Sequence, residues 1–241
     1  IIYFVRGDGV LLSLTYEPKQ QVWAWAEHHT NGKFLSIAEI PEDDQSVLYA
    51  IIERDGFYTI ERMLTRQPLD MQDKCYLDSS IQYKGNPTST LTGLDWLEGQ
   101  TVSVFADGGV KPNVKVENGT IKLPRELSNI WVGLNYEAEL QTLPIFQEQK
   151  NPVKPKVVNK VHLRVRESQN ILAGANQDIE DRTPIDEFKP RSNERYGSPL
   201  KLYSGLVEVP VDSTYERDIQ ITVKHDKPLP MKILALEVEM T

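Results

Sequence analysis

Two carboxylates three residues apart, Asp95 and Glu98, have the residue types and spacing that could support catalysis. On one side of a turn, a pair of carboxyl groups can hydrolyse a glycosidic bond by serving as acid and as base or nucleophile. Acidic residues at helix starts are, however, commonly capping groups that accept backbone hydrogen bonds. The surrounding Leu-Asp-Trp-Leu-Glu-Gly stretch predicts one short helical turn, so we interpret the pair as caps.

Four tryptophans suggest a second kind of chemistry, because exposed aromatic rings can stack on pyranose sugars. They are Trp23, Trp25, Trp96 and Trp131. Burial in a core is the alternative, and it is favoured for Trp23 and Trp25 because both faces of their segment are apolar. For Trp96, which lies in the turn-like stretch, both interpretations stay open.

The remaining chemically versatile residues give no site. Cys75 is the single cysteine, which excludes an intramolecular disulfide and a zinc site built from cysteines, and we expect it to be packed. His28 and His29 are adjacent in an expected strand and therefore point to opposite faces. Arg6-Gly7-Asp8 could suggest adhesion, but its composition is typical of a turn. Without a phosphate loop, hydrolase elbow or metal motif, we predict no catalytic, cofactor or metal site.

Composition narrows the class of partner. The chain has 241 residues, a net charge of −8 and 39% hydrophobic residues, and its pI is near 5.1. An acidic surface argues against tight binding of nucleic acid, which normally requires a basic patch. No apolar run approaches the roughly 18 residues of a membrane span, so we expect no membrane partner.

The elements that would position these residues are strands. Residues 1–66 are typical of a meander of short strands joined by glycine-containing turns. A two-residue turn at Asn31-Gly32 would place Trp25 opposite Ala38 and Trp23 opposite Ile40. Sheets that are apolar on both sides are normally covered on both sides. We therefore predict an all-β fold, with a propeller-like or sandwich β region as the two alternatives.

A second turn of this kind, Asp55-Gly56, would place Ile51 opposite Ile60 and Leu48 opposite Met63. The outer pieces of the chain, 1–66 and 151–241, are predicted to form the propeller-like or sandwich region together. Residues 67–150, bounded by proline-marked linkers, are predicted to be an inserted small β unit, barrel-like in form.

The inserted unit carries the clearest hairpin pattern. Its Asn118-Gly119 turn would place Val116 opposite Ile121 and Val114 opposite Leu123 on one apolar face.

Several segments resemble the tail tubular, or tail nozzle, proteins of short-tailed bacteriophages. The resemblance is carried by Asp-Trp-Leu-Glu-Gly (95–99), Thr-Val-Ser-Val-Phe-Ala-Asp-Gly-Gly (101–109), Gly-Thr-Ile-Lys-Leu-Pro (119–124) and Val-Gly-Leu-Asn-Tyr (132–136). Flanking segments are similar too: Val-Trp-Ala-Trp (22–25), Gly-Lys-Phe-Leu-Ser-Ile (32–37) and the closing Pro-Leu-Pro-Met-Lys-Ile-Leu-Ala-Leu (228–236). Glu27 departs from the arginine that family members often carry there.

The resemblance implies a non-enzymatic structural protein of a phage or prophage tail, and it favours the propeller over the sandwich. It implies a homo-oligomeric ring that passes DNA during ejection without tight binding and docks an adaptor, fibres or spikes. The chain would be the C-terminal portion of a longer protein, located in the virion tail and, before assembly, in the host cytoplasm. A carbohydrate-binding or sugar-cleaving tail module, built on the exposed tryptophans and Asp95/Glu98, is the alternative.

The strand predicted at 157–167 has one apolar and one cationic face. Val161, Leu163 and Val165 alternate with a basic row; the row consists of Lys160, His162, Arg164 and Arg166. The row could contact phosphates or an acidic partner. The alternative is a solvated face, or pairing with acidic strands of the same chain such as those of Glu208, Glu237 and Glu239.

A long polar stretch, Ser168–Pro199, follows this strand. It has few large apolar groups, so we predict that it is mobile in an isolated subunit and ordered by a neighbour in a ring. Three basic residues would then face an acidic cluster of the neighbouring subunit. The predicted inter-subunit set is Lys160, Arg164, Arg166, Asp178, Glu180 and Asp181.

Overall fold

A computed structural model of the chain describes residues 1–64, 75–145, 155–175, 186–188, 201–211, 213 and 215–240. Within these ranges the chain is built from strands, and helix is limited to two 3-10 turns, Pro18–Gln20 and Asp95–Leu97. The strands are β1 (Ile2–Val5), β2 (Leu11–Glu17), β3 (Val22–His28), β4 (Lys33–Glu42), β5 (Gln45–Arg54), β6 (Phe57–Arg62), β7 (Asp78–Thr92), β8 (Thr101–Ala106), β9 (Gly109–Lys115), β10 (Thr120–Leu134), β11 (Ala138–Gln141), β12 (Val158–Ser168), β13 (Ile171–Ala175), β14 (Asp186–Phe188), β15 (Tyr203–Pro210), β16 (Ile221–His225) and β17 (Ile233–Met240).

These strands form five antiparallel sheets, which confirms the predicted all-β class. The strand orders are β1-β2-β3, β4-β5-β6, β7-β10-β8-β9, β11-β16-β13-β14 and β15-β12-β17. None of the described sheets closes into a barrel. The unit expected to be barrel-like is instead an open sheet, with β7 and β9 at its two edges. A propeller arrangement of the whole stays a prediction.

The first sheet corrects the register expected around Asn31-Gly32. Trp25 lies opposite Leu14 and Trp23 opposite Tyr16, because β3 folds back on β2 through the 3-10 turn Pro18–Gln20. Strand β4 pairs with β5 and not with β3. The segment between β3 and β4 is therefore a crossing between two sheets, and the predicted Trp25–Ala38 and Trp23–Ile40 pairs are wrong.

The turn at Asp55-Gly56 behaves as expected. Both of its residues have positive φ, 49° and 84°, as a type I′ turn requires. Ile51 lies opposite Ile60, and the Met63 amide donates to the Leu48 carbonyl over 2.8 Å.

The turn at Asn118-Gly119 is also present, with φ of 54° and 61°. Its ladder, however, is a single bridge between Glu117 and Thr120. Beyond that bridge the strands separate: β9 pairs with β8, while Ile121 lies opposite Leu91 of β7. The expected facing pairs are therefore wrong, although Val116 and Ile121 share one core.

Four clusters of buried residues form the core of the described residues, and three of them show how the sheets pack. The middle sheet encloses one that includes Leu94, Leu97 and Ile130. The two C-terminal sheets face each other across a second, which includes Leu163 of β12 and Ile221 of β16. The N-terminal sheets share a much smaller cluster; its buried members are Leu11, Phe34, Ala50 and Ile52.

The predicted division into domains stays a prediction. One pairing bears on its boundary: β11 pairs with β16 of the C-terminal sheet, with Ala138 opposite His225. The Ile145 amide extends this contact by donating to the Ile219 carbonyl. Residues 138–145 therefore lie with the C-terminal sheets, within the stretch assigned from sequence to the inserted unit.

Candidate interaction surface

The outer side of the first sheet is apolar and exposed. Directly opposite residues of antiparallel strands share a face, so the register of β1, β2 and β3 assigns seven large apolar side chains to one side. We call this the aromatic face; it consists of Ile2, Phe4, Leu12, Leu14, Tyr16, Trp23 and Trp25. The other side of the sheet carries Leu11, which is buried against the second sheet.

The two tryptophans of this face lie open. Trp23 is 58% exposed and Trp25 is 61% exposed. Each has one aromatic neighbour, with Phe4 5.7 Å from Trp25 and Tyr16 6.4 Å from Trp23 between ring centroids. The expectation that Trp23 and Trp25 are core residues is wrong, because β3 is at the sheet's edge and its outward rings have no described cover.

The second sheet has a matching outer side. Register places Ile40, Ile51, Tyr58 and Ile60 on the side away from the shared core. We call this the isoleucine face. Ile60 is 76% exposed, and Leu35, the extra residue at the bulge in β4, is also exposed.

The small core between the two sheets fixes how these faces are oriented. Phe34 and Ile52 of the second sheet pack with Leu11 of the first, and the Phe34 amide donates to the Gly9 carbonyl over 2.9 Å. Tyr3 donates to the sulfur of Met63 across the same contact. Because the inner sides pack together, the aromatic and isoleucine faces point away from each other.

A partly buried ionic network ties the two N-terminal sheets to the start of β7. Arg54 forms ion pairs with Glu61 and with Asp78, the latter over 3.3 Å, and Thr30 donates to the Asp78 carboxylate. Burial raises the pKa of Asp78, although the Thr30 hydrogen bond and the charge of Arg54 oppose it. Burial alone would lower the pKa of Arg54, but the hydrogen bond to Glu61 and both carboxylate charges outweigh it and raise that pKa. The network therefore fixes the position of the two N-terminal sheets against the start of β7.

The predicted inter-subunit residues are brought together only in part. Lys160 lies 3.6 Å from Glu208 in the same chain, whereas Arg164 and Arg166 are exposed on the same side of β12. Arg164 lies opposite Leu206 and Ala235, which carry no charge. The acidic members of the set, Asp178, Glu180 and Asp181, lie outside the described residues, as does most of Ser168–Pro199. The contact between subunits stays a prediction.

His162 completes the same row and also faces acids of its own chain. It lies opposite Glu208 on β15 and Glu237 on β17, and its Nε2 is 3.6 Å from Glu239. The intrachain pairing weighed from sequence is therefore present for Lys160 and His162.

Asp95 and Glu98 brace a turn. The Glu98 carboxylate accepts hydrogen bonds from the Asn118 and Gly119 amides, over 3.0 and 2.6 Å. A Cβ on Gly119 would lie 2.5 Å from Asp95, so the carboxylate packs directly on the turn. The 3-10 turn expected here is present and includes Trp96, which is 38% exposed, but neither acid caps its first turn. Both serve the neighbouring hairpin instead.

The other residues considered from the sequence are either buried or bonded to neighbouring side chains. Cys75 is buried, which raises the pKa of its thiol to about 12 and keeps it protonated at neutral pH. Arg6 and Asp8 pair with each other over 2.8 Å at an exposed turn, so each side chain has a partner within the turn itself. His28 bonds to Ser13 over 2.8 Å. Trp131 is buried at 8% exposure.

Metal sites and membrane-spanning segments were both considered from the sequence. The described part of the chain holds no group of three histidine, cysteine or acidic residues able to bind a metal ion. No helix within the described residues has the length and apolar character needed to cross a membrane.

Sequence reasoning missed the ionic network and the exposure of the two outer faces. Arg54 and Asp78 are 24 residues apart, and nothing in their local sequence predicts that they meet. Periodicity assigns a side chain to a face without indicating whether another layer covers that face. Comparison with models of protein families and with curated proteins finds no match for this chain.

Proposed function

We propose that this protein is a non-enzymatic structural component of a bacteriophage or prophage tail. It assembles as a homo-oligomeric ring of the tail nozzle, through which DNA passes during ejection, and it docks other tail parts such as an adaptor, fibres or spikes. Its place is the virion tail, reached from the host cytoplasm on assembly.

One observation carries this proposal: two large apolar faces lie exposed on opposite sides of the N-terminal unit. Contiguous exposed apolar patches beyond a few hundred Å² commonly mark interaction sites on monomeric proteins. A protein that works through assembly needs such faces. The family resemblance of segments such as 95–99 and 132–136 supplies the identity of the assembly.

Charge supports the same interpretation. The net charge of −8 makes the surface weakly repel DNA, which suits a conduit that DNA must leave without adhering. The glutamates of the outer strands β15 and β17 already accompany Lys160 and His162. Two of the four basic side chains of the row are therefore accompanied by glutamates of the same chain, whereas Arg164 and Arg166 are exposed.

Electron microscopy of the purified protein at high concentration tests the proposal, together with antibody labelling of intact phage particles. We expect rings with one central channel, and label at the tail tip. A protein that stays monomeric at every concentration and labels no tail would overturn the proposal.

A second candidate function rests on Trp23 and Trp25, whose exposed rings are available for stacking on sugars. On this alternative the protein is a carbohydrate-binding or sugar-cleaving tail module. A glycan array and an assay for released reducing sugar discriminate between the two. Binding that is lost in Trp23→Ala and Trp25→Ala but kept in Ile60→Ala would favour the module.

A further inference from the structure

We propose that successive copies of the chain pack head to tail, with the aromatic face of one copy stacked on the isoleucine face of the next. This inference rests on the proposed ring, because it names the surfaces by which the subunits meet. The surfaces are separate from the basic row of β12.

The placement of the two faces favours a head-to-tail contact. They lie on opposite sides of one two-sheet unit, and each is formed by a three-stranded antiparallel sheet. A two-fold contact joins identical surfaces, so it would cover one face and leave the other exposed. A head-to-tail contact covers both faces with a single kind of partner. It is also the arrangement that closes a ring.

The exposed aromatic area supplies about half of a stable contact. Ile2, Phe4, Tyr16, Trp23 and Trp25 are each between 44% and 61% exposed. Aromatic side chains bury about 150–250 Å² each, so the exposed parts of the four aromatic ones would contribute on the order of 400 Å². A specific interface takes about 800 Å² from each partner. The remainder can come from small and polar residues between the large ones.

The two faces also match in width. Each is three strands wide, about 14 Å, and each can approach another sheet to the usual spacing of about 10 Å. Charges beside them are paired in two places, Arg6 with Glu27 over 2.6 Å and Arg62 with Glu42 over 2.5 Å, and register places Lys33 opposite Glu53 on the isoleucine side. Stacking therefore buries no unpaired charge from these four residues, which limits the cost of desolvation.

A pair of single substitutions tests the inference. Trp25→Glu places a charge on the aromatic face, and Ile60→Glu places one on the isoleucine face. Leu234→Glu is the matched control, because Leu234 is exposed on β17, far along the chain from both faces. Sedimentation velocity measures the assembly state of each variant, and far-ultraviolet circular dichroism checks that each is folded.

We expect wild type and Leu234→Glu to form rings, and each of the other two variants to stay monomeric. When mixed, Trp25→Glu and Ile60→Glu should form one-to-one pairs and nothing larger, because one intact face of each kind remains. Rings that persist in both variants would overturn the stacking and leave the ring itself standing. Loss of assembly in one variant alone, or no pairing in the mixture, would also overturn it. A wild-type chain that never assembles would overturn the ring as well.

Discussion

Two three-stranded sheets of this protein, β4-β5-β6 and β15-β12-β17, have similar architecture and opposite surfaces. In both, a central strand of 10 or 11 residues pairs on each side with a neighbour. The outward side of β12 carries charged and polar groups, with Lys160 and His162 facing glutamates. The outward side of β5 carries Ile51, next to Ile60.

This difference teaches what alternation along a strand can establish. In β12 the inward residues Val161, Leu163 and Val165 are almost completely buried, and the outward ones suit water. The apolar side of this sheet is therefore buried by the described part of its own chain. In β5 both sides are apolar: Ala50 and Ile52 on the inner side are buried against the first sheet, whereas on the outer side Val47 is buried and Ile51 is 40% exposed. The N-terminal unit therefore has apolar surface that no described part of its own chain covers.

The largest expected difference between a covered and an uncovered surface comes from two tryptophans. Trp131→Ala, at a buried ring, should destabilise the fold by about 3–5 kcal/mol, because it leaves a large cavity. Trp23→Ala should cost no more than about 1 kcal/mol in the monomer, since little transfer from water is lost at an exposed ring. Urea unfolding of both variants measures the difference. Equal shifts would show that the aromatic face is covered in solution.

A pair of aliphatic substitutions repeats the comparison at the centres of the two sheets. Leu163→Ala should cost about 2–5 kcal/mol, because the side chain is buried in the C-terminal core. Ile51→Ala should cost less, about 1–2 kcal/mol, because its side chain is 40% exposed. Urea midpoints measured below the concentration at which subunits associate give both values. A larger loss for Ile51→Ala would contradict the contrast between the sheets.

Much of this contrast between the two sheets can be predicted from the sequence. The strand at 157–167 was predicted with its buried and basic sides because alternation of residue types is a local property. The pairing of Ile51 with Ile60 was predicted because a two-residue turn leaves the register no freedom. The turn at Asn31-Gly32 misled the prediction, since turn residues alone do not ensure that the flanking strands pair with each other. That choice depends on β2 and β5, which compete as partners.

The candidate surface was less accessible to prediction. An apolar residue that packs in a core and one that awaits a partner have the same side chain, so Trp23 and Trp131 cannot be separated by type. Their burial depends on which layer lies above them, and that is a property of the tertiary arrangement. The same holds for Arg54, whose partner Asp78 belongs to a different sheet.

The ionic network should give the N-terminal unit a specific response to pH. Because burial raises the pKa of Asp78 above its unfolded value, the folded state holds this proton more tightly than the unfolded state. Stability from this group is therefore greatest below the unfolded pKa and falls as pH rises through the folded pKa. Asp78→Asn should remove this dependence while leaving the Arg54–Glu61 pair in place.

Urea unfolding of wild type and Asp78→Asn from pH 7 down to pH 4 measures the effect. The wild type should gain stability relative to the variant as pH falls. Arg62 lowers the pKa of Glu42 by hydrogen bonding, which has the opposite sign, but that contribution is common to both proteins and cancels. If the stabilities of the two proteins change in parallel with pH, the Asp78 carboxyl has the same pKa in the folded and unfolded states, and the prediction is wrong.

The smallest effect is expected on the solvated side of β12. Lys160 and Glu208 are 3.6 Å apart and both about half exposed, so their pairing should contribute about 0.2–1 kcal/mol. A double-mutant cycle with Lys160→Met and Glu208→Gln isolates this coupling, and added salt should reduce it because both charges face water. The cycle of Arg164→Met with Glu208→Gln is the control, since Arg164 lies opposite the uncharged Leu206. A coupling several times larger, and unaffected by salt, would mean that this side is covered as well, and the contrast between the two sheets would be lost.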